Sequence, residues 1–463
     1  MNCFKMHLTY KLIAVLSILF STLAIIIAFQ NQAQGYELSI YESTPLVVWL
    51  SLILSIIGAL YIIIHSITVT KYISSNFWII GVFILLFNRL TLLYIPYIRG
   101  YFSWRGDNIT HIGFLIDIIN SGHVLDINFY PIVHILLFIF YIITNININL
   151  VINYSTSFFS AFYVISIYLL AKTILHTKNE WILAVTSAAP VFFAFNVLLV
   201  PNGWSQLYLP FLVYLYFKSF EIHNSLEYTF LYVILLIMYP FFHPLSSLYI
   251  ILVLIIISIF NLLIYIILIN KDKDKKLTLS KKGKRRIPLT AIVIESTILI
   301  PWILSFQRFN YNLKFFYHSI LSGTSQNALE GMQGQLDKVN VHGIDFISLF
   351  IKQEGANFIF IILFVISLFV LGKKKHYLHN NQNLIIISFI TIFTGFIYTS
   401  YLFGIVPGLQ AIAAERIKSY IILFTPISAG YLFFYLFNKE ITVKKIKIFP
   451  IGQKVWYKIE PYN

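Results

Sequence analysis

Runs of apolar residues long enough to cross a lipid bilayer recur along this chain, and they restrict its fold more than any other feature. A bilayer core is about 30 Å thick, so a helix that crosses it needs about 20 mostly apolar residues. The composition agrees, because 59% of the residues are hydrophobic and only 11% are charged, whereas soluble domains carry about 25% charged residues. The sequence therefore predicts an all-α, polytopic integral membrane protein.

The hydropathy pattern predicts about twelve transmembrane helices. The basic start and first apolar run could be a secretory signal, but the run continues to Phe29 without a convincing small-x-small cleavage site. We therefore expect a retained first helix. The single cysteine, Cys3, excludes an internal disulfide. The predicted spans are residues 12–29, 45–65, 77–95, 150–172, 181–199, 206–222, 228–242, 246–269, 288–305, 356–372, 383–403 and 417–437.

The formal net charge of +15 arises largely from basic runs that flank apolar spans, at residues 270–286, 373–379 and 438–449. This distribution is typical of the positive-inside pattern of membrane proteins and not of a nucleic-acid-binding surface. We therefore expect membrane lipids as partners, no nucleic acid, and both termini on the cytoplasmic side of a cell membrane. The segments expected to face outside are then residues 96–149, 306–355 and 404–416.

Residues 130–146 are apolar but short, and counting them as a span would place every later basic run outside. We therefore expect a re-entrant or interfacial segment there. The long loop at residues 306–355 is predicted to be a flap or an acceptor-binding element. The predicted organisation is N-terminal transmembrane helices (1–95), an outer loop (96–149), a transmembrane core (150–305) with a cytoplasmic basic loop (270–287), a second outer loop (306–355), C-terminal transmembrane helices (356–437) and a basic tail (438–463).

One short stretch, SWRGDNITHIGFLIDIINSGHVLDINFYPIVHIL (103–136), gathers charged residues and histidines in a chain that otherwise avoids them. Asp107 and His111 lie one helical turn apart and share a face, and Asp107 as the helix N-cap would remain ionised. The alternative is a simple cap beside a solvated histidine. An amphipathic helix in the membrane plane is predicted over 107–121, with Ile109, Ile112, Ile116 and Ile119 on one side and Asp107, Thr110, His111, Asp117 and Ser121 on the other.

Two stretches carry a family resemblance. GYELSIYESTPLVVWL (35–50), followed by WRGDNITHIGFLIDIINSGHVLDINFYPIVHIL (104–136), resembles the polytopic GT-C glycosyltransferases, and more specifically the archaeal membrane enzymes of that class. The motifs are GD, THIG, SGH and NFYP in this order, and the likeness is clearest over residues 35–250. In simpler members the acidic loop follows the first span, whereas here two further helices precede it, which would be an N-terminal addition.

The resemblance implies transfer of a sugar from a polyprenyl-phosphate carrier, such as a dolichyl-phosphate hexose, to a lipid-linked glycan, a protein or a cell-surface polymer. Asp107 is then the expected general base of an inverting single displacement, and the phosphate leaving group requires positive charge and no general acid. Arg416 could hold that phosphate, or pair with Glu415, or reach the headgroups. Residues expected to bind substrate are Arg105, His111, Asp117, Tyr130, His134, His243, Glu415 and Arg416.

Several alternatives remain open. His243, between Pro240 and Pro244, could line a pocket or serve only in a turn. Asp107, His111 and Asp117 offer ligand atoms to Mg²⁺ or Mn²⁺, but they lack the Asp-x-Asp spacing, so no metal is assigned. A flippase or transporter without chemistry would show internal repeats, and none is evident. A polymerase or ligase would instead use late-loop residues such as Arg308, His318 or His342. Possible helpers are Lys418, Tyr420, Asn202, Gln206 and Trp204, the last more simply a membrane-interface residue.

Overall fold

The computed structural model describes residues 2–35, 37, 39–68, 76–102, 107–192, 197–219, 225–271, 289–325, 327–338, 342–373, 382–412 and 414–447. All regular structure within these ranges is helical. Two short 3₁₀ turns, Leu409–Ile412 and Ala414–Ile417, precede the last two helices. The helices are α1 (Asn2–Gln30), α2 (Ile40–Ser43), α3 (Leu46–Thr68), α4 (Phe77–Ile98), α5 (Asp107–Ser121), α6 (Pro131–Thr144), α7 (Ile148–Ile174), α8 (Lys178–Ala188), α9 (Pro201–Lys218), α10 (Ser225–Phe242), α11 (Pro244–Lys271), α12 (Leu289–Leu304), α13 (Gln307–Ser322), α14 (Ala328–Lys338), α15 (Gly343–Lys373), α16 (Gln382–Leu402), α17 (Lys418–Leu423) and α18 (Thr425–Lys447).

Eight helical segments among the described residues are long and apolar enough to cross a membrane, or nine if α12 and α13 form one broken span. The chain is thus an all-α, multi-pass membrane protein. The eight segments coincide with eight of the predicted spans and are Leu8–Gln30, Leu46–Thr68, Phe77–Ile98, Ile148–Ile174, Pro244–Leu263, Gly343–Lys373, Gln382–Leu402 and Lys418–Phe437.

The other predicted spans correspond to helices that are not among these eight long, apolar segments. The predicted number of about twelve transmembrane helices is therefore not confirmed. The span expected at 181–199 ends as the 11-residue helix α8, just before Pro190. Helix α12 has 16 residues and meets α13 at an angle of 103°. Helix α6, with 14 residues, is too short to cross, which fits the re-entrant or interfacial segment predicted at 130–146.

The segment predicted as an outer loop at 306–355 is largely helical. It contains α13, α14 and the beginning of α15 (Gly343–Lys373), which extends an expected span by several turns toward its N-terminus. Residues 326 and 339–341 lie outside the described ranges. The described part of this segment is therefore built from helices, two of which bring side chains to the site described below.

Helix α7 lies at the centre of the fold, where it packs against α4, α6, α8 and α9, and α18 packs along α8. The contact between α8 and α18 is close at Gly430, because a Cβ atom there would lie 2.5 Å from the backbone nitrogen of Ala184. Small residues at such a crossing allow helix backbones to approach closely in membrane proteins. This packing fixes the position of the C-terminal end of α8.

A buried arginine stabilises the chain where α8 ends. Arg89 on α4 is 7% exposed, and its guanidinium donates hydrogen bonds to the carbonyl oxygens of Ala189 (2.7 Å) and Val191. It also donates to Ser160 Oγ (3.2 Å) and lies over the Tyr163 ring. The last carbonyls of a helix have no partners within that helix, so Arg89 satisfies groups that the break after α8 leaves open.

A second arginine, Arg99, binds the connection between α1 and α3. The Arg99 guanidinium, at the end of α4, forms a bidentate ion pair with Glu37 at 2.6 and 2.7 Å and donates to the Asn31 carbonyl (3.0 Å). Hydrogen bonding to Arg99 lowers the pKa of the Glu37 carboxyl from 4.5 to about 2, against the opposing effect of burial. The connection is thereby held against the end of α4, shortly before α5 begins.

We expect Glu37→Gln to lower the melting temperature of the purified protein by a few degrees at pH 7, because the charged half of the ion pair is lost. The folded-state pKa lies below the ordinary value, so the pair contributes stability above about pH 4.5 and loses it as the pH falls toward 2. The difference in melting temperature between wild type and variant should shrink over that range. Glu42→Gln, in the same connection and exposed, is the control; equal effects of the two substitutions would contradict the prediction.

Candidate functional site

A cavity of about 630 Å³ gathers charged and aromatic side chains from distant parts of the sequence. It lies where α5 and the connection to α6 meet the N-terminal end of α9, the turn between α10 and α11, and the beginnings of α13 and α17, with α15 beside them. Its lining residues are Asp107, Thr110, His111, Phe114, Ile127, Phe129, Tyr130, Phe192, Val200, Pro201, Asn202, His243, Arg308, Glu354, Asn357, Arg416, Lys418, Ser419 and Ile422.

Helix α5 brings Asp107 and His111 to the cavity. It spans Asp107–Ser121, so the predicted boundaries are confirmed. Ile109 and Ile116 are exposed at the surface of the protein, whereas Asn108, His111 and Ile112 are buried. Helix α5 contacts α6 through His111, so its inner face includes polar groups.

His111 belongs to a buried hydrogen-bonded chain. Its Nδ1 lies 3.1 Å from Nε2 of His134 on α6, and Nδ1 of His134 lies within 3.1 Å of the side-chain amide of Asn128. The backbone N–H of Tyr130 donates to Asn128 Oδ1 at 3.0 Å. The NFYP segment therefore holds His134 behind His111, and of the two histidines only His111 lines the cavity.

His243 connects the α10–α11 turn to the arginine at the opposite end of the sequence. Its ring stacks on Tyr130, with centroids 5.0 Å apart and an interplanar angle of 9°, and its Nε2 lies 3.4 Å from Nη1 of Arg416. Since a guanidinium only donates, Nε2 must accept and Nδ1 carries the proton. This buried Nδ1 has no hydrogen-bond partner within the described structure.

Burial keeps the histidines of the site uncharged. Desolvation lowers the pKa of His111 to about 4, opposed by the negative charge of Asp107 and reinforced by Arg416. It likewise lowers the pKa of His134 to about 3 and that of His243 well below 6.5. At neutral pH the three imidazoles therefore act as neutral hydrogen-bonding groups.

Three further charged side chains line the cavity. The ammonium of Lys418 donates to Glu354 Oε1, and Asn357 Nδ2 donates to Glu354 Oε2 at 3.2 Å. The guanidinium of Arg308 lies over the Phe129 ring, 5.9 Å from its centroid. Glu354 thus offsets the charge of Lys418, and Arg308 and Arg416 supply positive charge to a cavity that Asp107 also lines.

A second cavity, of about 850 Å³, adjoins the first and is lined mainly by leucine, isoleucine and phenylalanine side chains of α3, α4, α8, α15 and α18. Phe192 and Asn357 line both cavities. A charged compartment therefore adjoins an apolar one within the helical bundle. We refer to the first as the polar cavity and to the second as the apolar cavity.

The predicted site residues divide into three groups. Asp107, His111, Tyr130, His243 and Arg416 line the polar cavity, and His134 lies directly behind it. Asp117 lies on α5 away from the cavity lining, so the structure does not bring it to the site. Arg105 lies outside the described residues, and the side chain of Glu415 is also not described.

Of the residues named as possible helpers, only some line the cavity. Asn202 and Lys418 line the cavity, whereas Tyr420 is buried against Tyr249. Trp204, expected at a membrane interface, is instead a core residue that is 2% exposed, donates to Thr156 and stacks on Phe159. Gln206, 2% exposed, donates to Asn202. Of the late-loop set, only Arg308 lines the cavity, while His318 is exposed and His342 pairs with Asp337.

Sequence reasoning did not identify Glu354 and Asn357. Glu354 lies in the segment predicted as an outer loop (306–355) and Asn357 at the beginning of the predicted span 356–372, and both belong to helix α15. A carboxylate directly before an apolar run was the available signal. Among the described residues, no group of three or more histidine, cysteine, aspartate or glutamate side chains could hold a metal ion, and no step below is assigned to one.

No protein-family model matches the chain, and no curated protein is significantly similar to it.

Proposed function

We propose that this chain is a membrane glycosyltransferase that transfers a sugar from a polyprenyl-phosphate-linked donor to a lipid-linked glycan, a protein or another cell-surface acceptor. The observation that supports the proposal most strongly is the pairing of the two cavities. One is lined by two carboxylates, two arginines and a lysine, and the other, which shares Phe192 and Asn357 with it, is mainly apolar, although Arg89 and Lys352 also line it. A phosphate-linked sugar on an isoprenoid chain has this same division of polarity.

Each part of such a donor has a complementary surface. The phosphate carries negative charge and favours the guanidinium groups of Arg308 and Arg416, which can bind its oxygens in a bidentate manner. The isoprenoid chain gains free energy when it is removed from water, at about 25 cal/mol per Å² of apolar surface, and the apolar cavity offers such a surface. The sugar then lies in the polar cavity, beside Asp107 and the two aromatic rings of Tyr130 and His243.

The chemistry requires one base and one stabilised leaving group. The acceptor hydroxyl oxygen attacks the anomeric carbon, its proton passes to the Asp107 carboxylate, and the bond from the anomeric carbon to the phosphate oxygen breaks. The polyprenyl phosphate leaves with the bonding electrons, and the positive charges of Arg416 and Arg308 stabilise it. A single displacement of this kind inverts the anomeric configuration.

The membrane arrangement suits this reaction, because a lipid-linked donor is reached by an enzyme embedded beside it. The resemblance to GT-C enzymes and the positive-inside pattern support a cell-membrane location, an extracytoplasmic site and cytoplasmic termini. Arg308 lines the cavity whereas His318 and His342 do not, which favours the Asp107 site over a polymerase or ligase centred on the late loop.

We expect Arg416→Gln to weaken binding of polyprenyl phosphate by about 10-fold or more, because a charged hydrogen bond to a phosphate contributes about 1.5–3 kcal/mol. Binding can be measured by competition with a fluorescent polyprenyl phosphate in nanodiscs. Lys314→Gln removes a positive charge from α13 outside the cavity lining and is the control. Equal affinities of Arg416→Gln and Lys314→Gln would contradict the assignment of Arg416 to the phosphate.

The proposal is tested by sugar transfer from radiolabelled polyprenyl-phosphate hexoses to cell-derived lipid and protein acceptors by the purified protein in proteoliposomes. The expected result is label in an acceptor fraction that requires the phosphate-linked donor. If no donor yields labelled acceptor but labelled lipid crosses the bilayer, the protein is a carrier, and the transferase proposal is wrong.

A further inference from the structure

Helix α13 carries an exposed apolar stripe that the reaction above does not use. Its members recur at the spacing of one helix flank, are between 44% and 65% exposed, and are Leu313, Tyr317, Ile320 and Leu321. The polar residues Lys314 and His318 lie on the neighbouring side, with the exposed Tyr311 beside them. The helix contains no acidic residue. An apolar flank next to a basic polar side is typical of helices that lie at a membrane surface.

A second side of α13 borders the polar cavity. Arg308, in the first turn of the helix, lines the cavity and lies over the Phe129 ring, and the exposed Phe315 shares its side of the helix. Phe309 meets the same Phe129 ring edge-on, with centroids 5.2 Å apart. Phe129 directly precedes Tyr130, which also lines the cavity. The beginning of α13 therefore packs on the turn that carries Tyr130.

The inner side of α13 packs on the chain that leads to Arg416. Phe316 lies so close to Gly408 that a Cβ atom on Gly408 would be 2.8 Å from a carbon of the Phe316 ring. The helix also contacts the 3₁₀ turn Leu409–Ile412, which in turn contacts the 3₁₀ turn Ala414–Ile417 that contains Arg416. Helix α13 thus contacts two separate segments that supply residues to the polar cavity.

The direction of α13 suits a membrane surface. It turns by 103° from α12, which is strongly apolar and belongs to a predicted span. A helix nearly perpendicular to one that enters the membrane runs along the membrane surface. Apolar side chains there gain free energy when they leave water, and tyrosine, as at Tyr317, is common at the level of the headgroups.

We propose that α13 is an interfacial helix, whose apolar stripe binds the boundary between the lipid headgroups and the acyl chains and thereby holds Arg308, Tyr130 and Arg416 around the polar cavity. The site is then complete only when the protein lies in a lipid bilayer. This inference goes beyond the proposed function, because it concerns a lipid-binding surface and holds for any reaction in the cavity. A flap or an acceptor-binding element, as expected from the sequence, would instead leave the stripe in water or against another protein.

Spin labels distinguish a side that faces lipid from one that faces water. The single cysteine is removed by Cys3→Ser, and a label is attached to Leu313→Cys, Tyr317→Cys or Ile320→Cys in phosphatidylcholine proteoliposomes. His318→Cys, on the polar side of the same helix, is the control. We expect oxygen, which concentrates in lipid, to collide more often than a water-soluble nickel chelate with labels on the stripe. The order should be reversed at the control position.

Two results of this experiment would overturn the inference. Frequent collision of the nickel chelate with all four labels would show that α13 is a flap in water. Rare collision of both reagents with the three stripe labels would show that protein, and not lipid, covers the stripe.

Hydrogen exchange in nanodiscs tests whether the lipid contact holds the cavity. Leu313→Gln/Ile320→Gln makes the stripe polar, whereas Lys314→Gln changes the polar side and is the control. We expect the double variant to lose protection of the backbone N–H groups in α13 and in residues 125–130 and 405–412, and the control to retain it. Protection of α7 in both variants shows that the bundle is folded. Wild-type protection of residues 125–130 and 405–412 in the double variant would overturn the inference.

Discussion

Asp107→Asn is expected to lower the rate of sugar transfer by about 10²- to 10⁴-fold, the range typical of a general base, with donor binding largely retained. The amide has nearly the same shape as the carboxylate but cannot take the proton of the attacking hydroxyl. Asp107 lies in the first turn of α5, where the positive end of the helix dipole favours the negative form. The substitution therefore removes the base and keeps the local geometry.

The measurement is single-turnover transfer from a labelled polyprenyl-phosphate hexose, with donor affinity determined on the same preparations. Asp126→Asn is the matched control, because Asp126 follows α5 closely, is exposed and does not line the cavity. Similar rates for Asp107→Asn and wild type would remove Asp107 from the chemistry and leave Glu354 as the other described carboxylate of the cavity.

The second large effect concerns stability. Arg89→Met should lower the free energy of unfolding by about 3 kcal/mol, because two buried carbonyl acceptors lose their donor and each such loss costs about 1–3 kcal/mol. The affected carbonyls are those of Ala189 and Val191, at the break after α8. Methionine fills similar volume, so the comparison isolates the hydrogen bonds from a cavity effect.

Unfolding of the purified protein in mixed micelles, followed by tryptophan fluorescence, measures this change. Arg89→Lys keeps the positive charge and some donor capacity, and its stability should fall between the wild type and Arg89→Met. If Arg89→Met unfolds at the same denaturant concentration as the wild type, the guanidinium is not what stabilises the end of α8.

The sequence predicted those helices that are marked by a long apolar run or by start and stop residues close in sequence. Leu46–Thr68 and Gln382–Leu402 are long apolar runs bounded by polar residues, and both were recognised within a few residues. The boundaries of α5 were also predicted, since Asp107 and Gly122 are ordinary start and stop signals. These features depend on composition and spacing over one helix, which a single sequence contains.

The predictions about the surroundings of single side chains were less successful, because those surroundings depend on tertiary packing. Periodicity separated the isoleucines of α5 from its polar residues, but it did not indicate that His111 is buried against His134 on α6. Tryptophan is common at membrane interfaces, but Trp204 is buried because Thr156 and Phe159 lie beside it. Such partners are distant in sequence, and hydropathy contains no information about them.

The candidate site was predicted in part. Asp107 was chosen from its position at a helix start and from the family resemblance, His243 from its position between two prolines, and Arg416 because a charge near the membrane is costly. The structure brings all three to one cavity. Glu354 was missed because its segment was interpreted as a loop, and Asn357 because it lies at the beginning of an apolar run that was interpreted only as a span. Asp117 was included because the helical pattern places it on the same side of α5 as Asp107. In the structure it does not line the cavity.

A cryo-electron-microscopy structure of Asp107→Asn with a polyprenyl-phosphate hexose is the most direct test of the central claim that one lipid-linked donor occupies both cavities. The predicted result is a phosphate within hydrogen-bond distance of Arg416, a sugar between residue 107 and Tyr130, and a chain that passes Asn357 into the apolar cavity. A donor bound elsewhere, with both cavities empty of it, would contradict the claim.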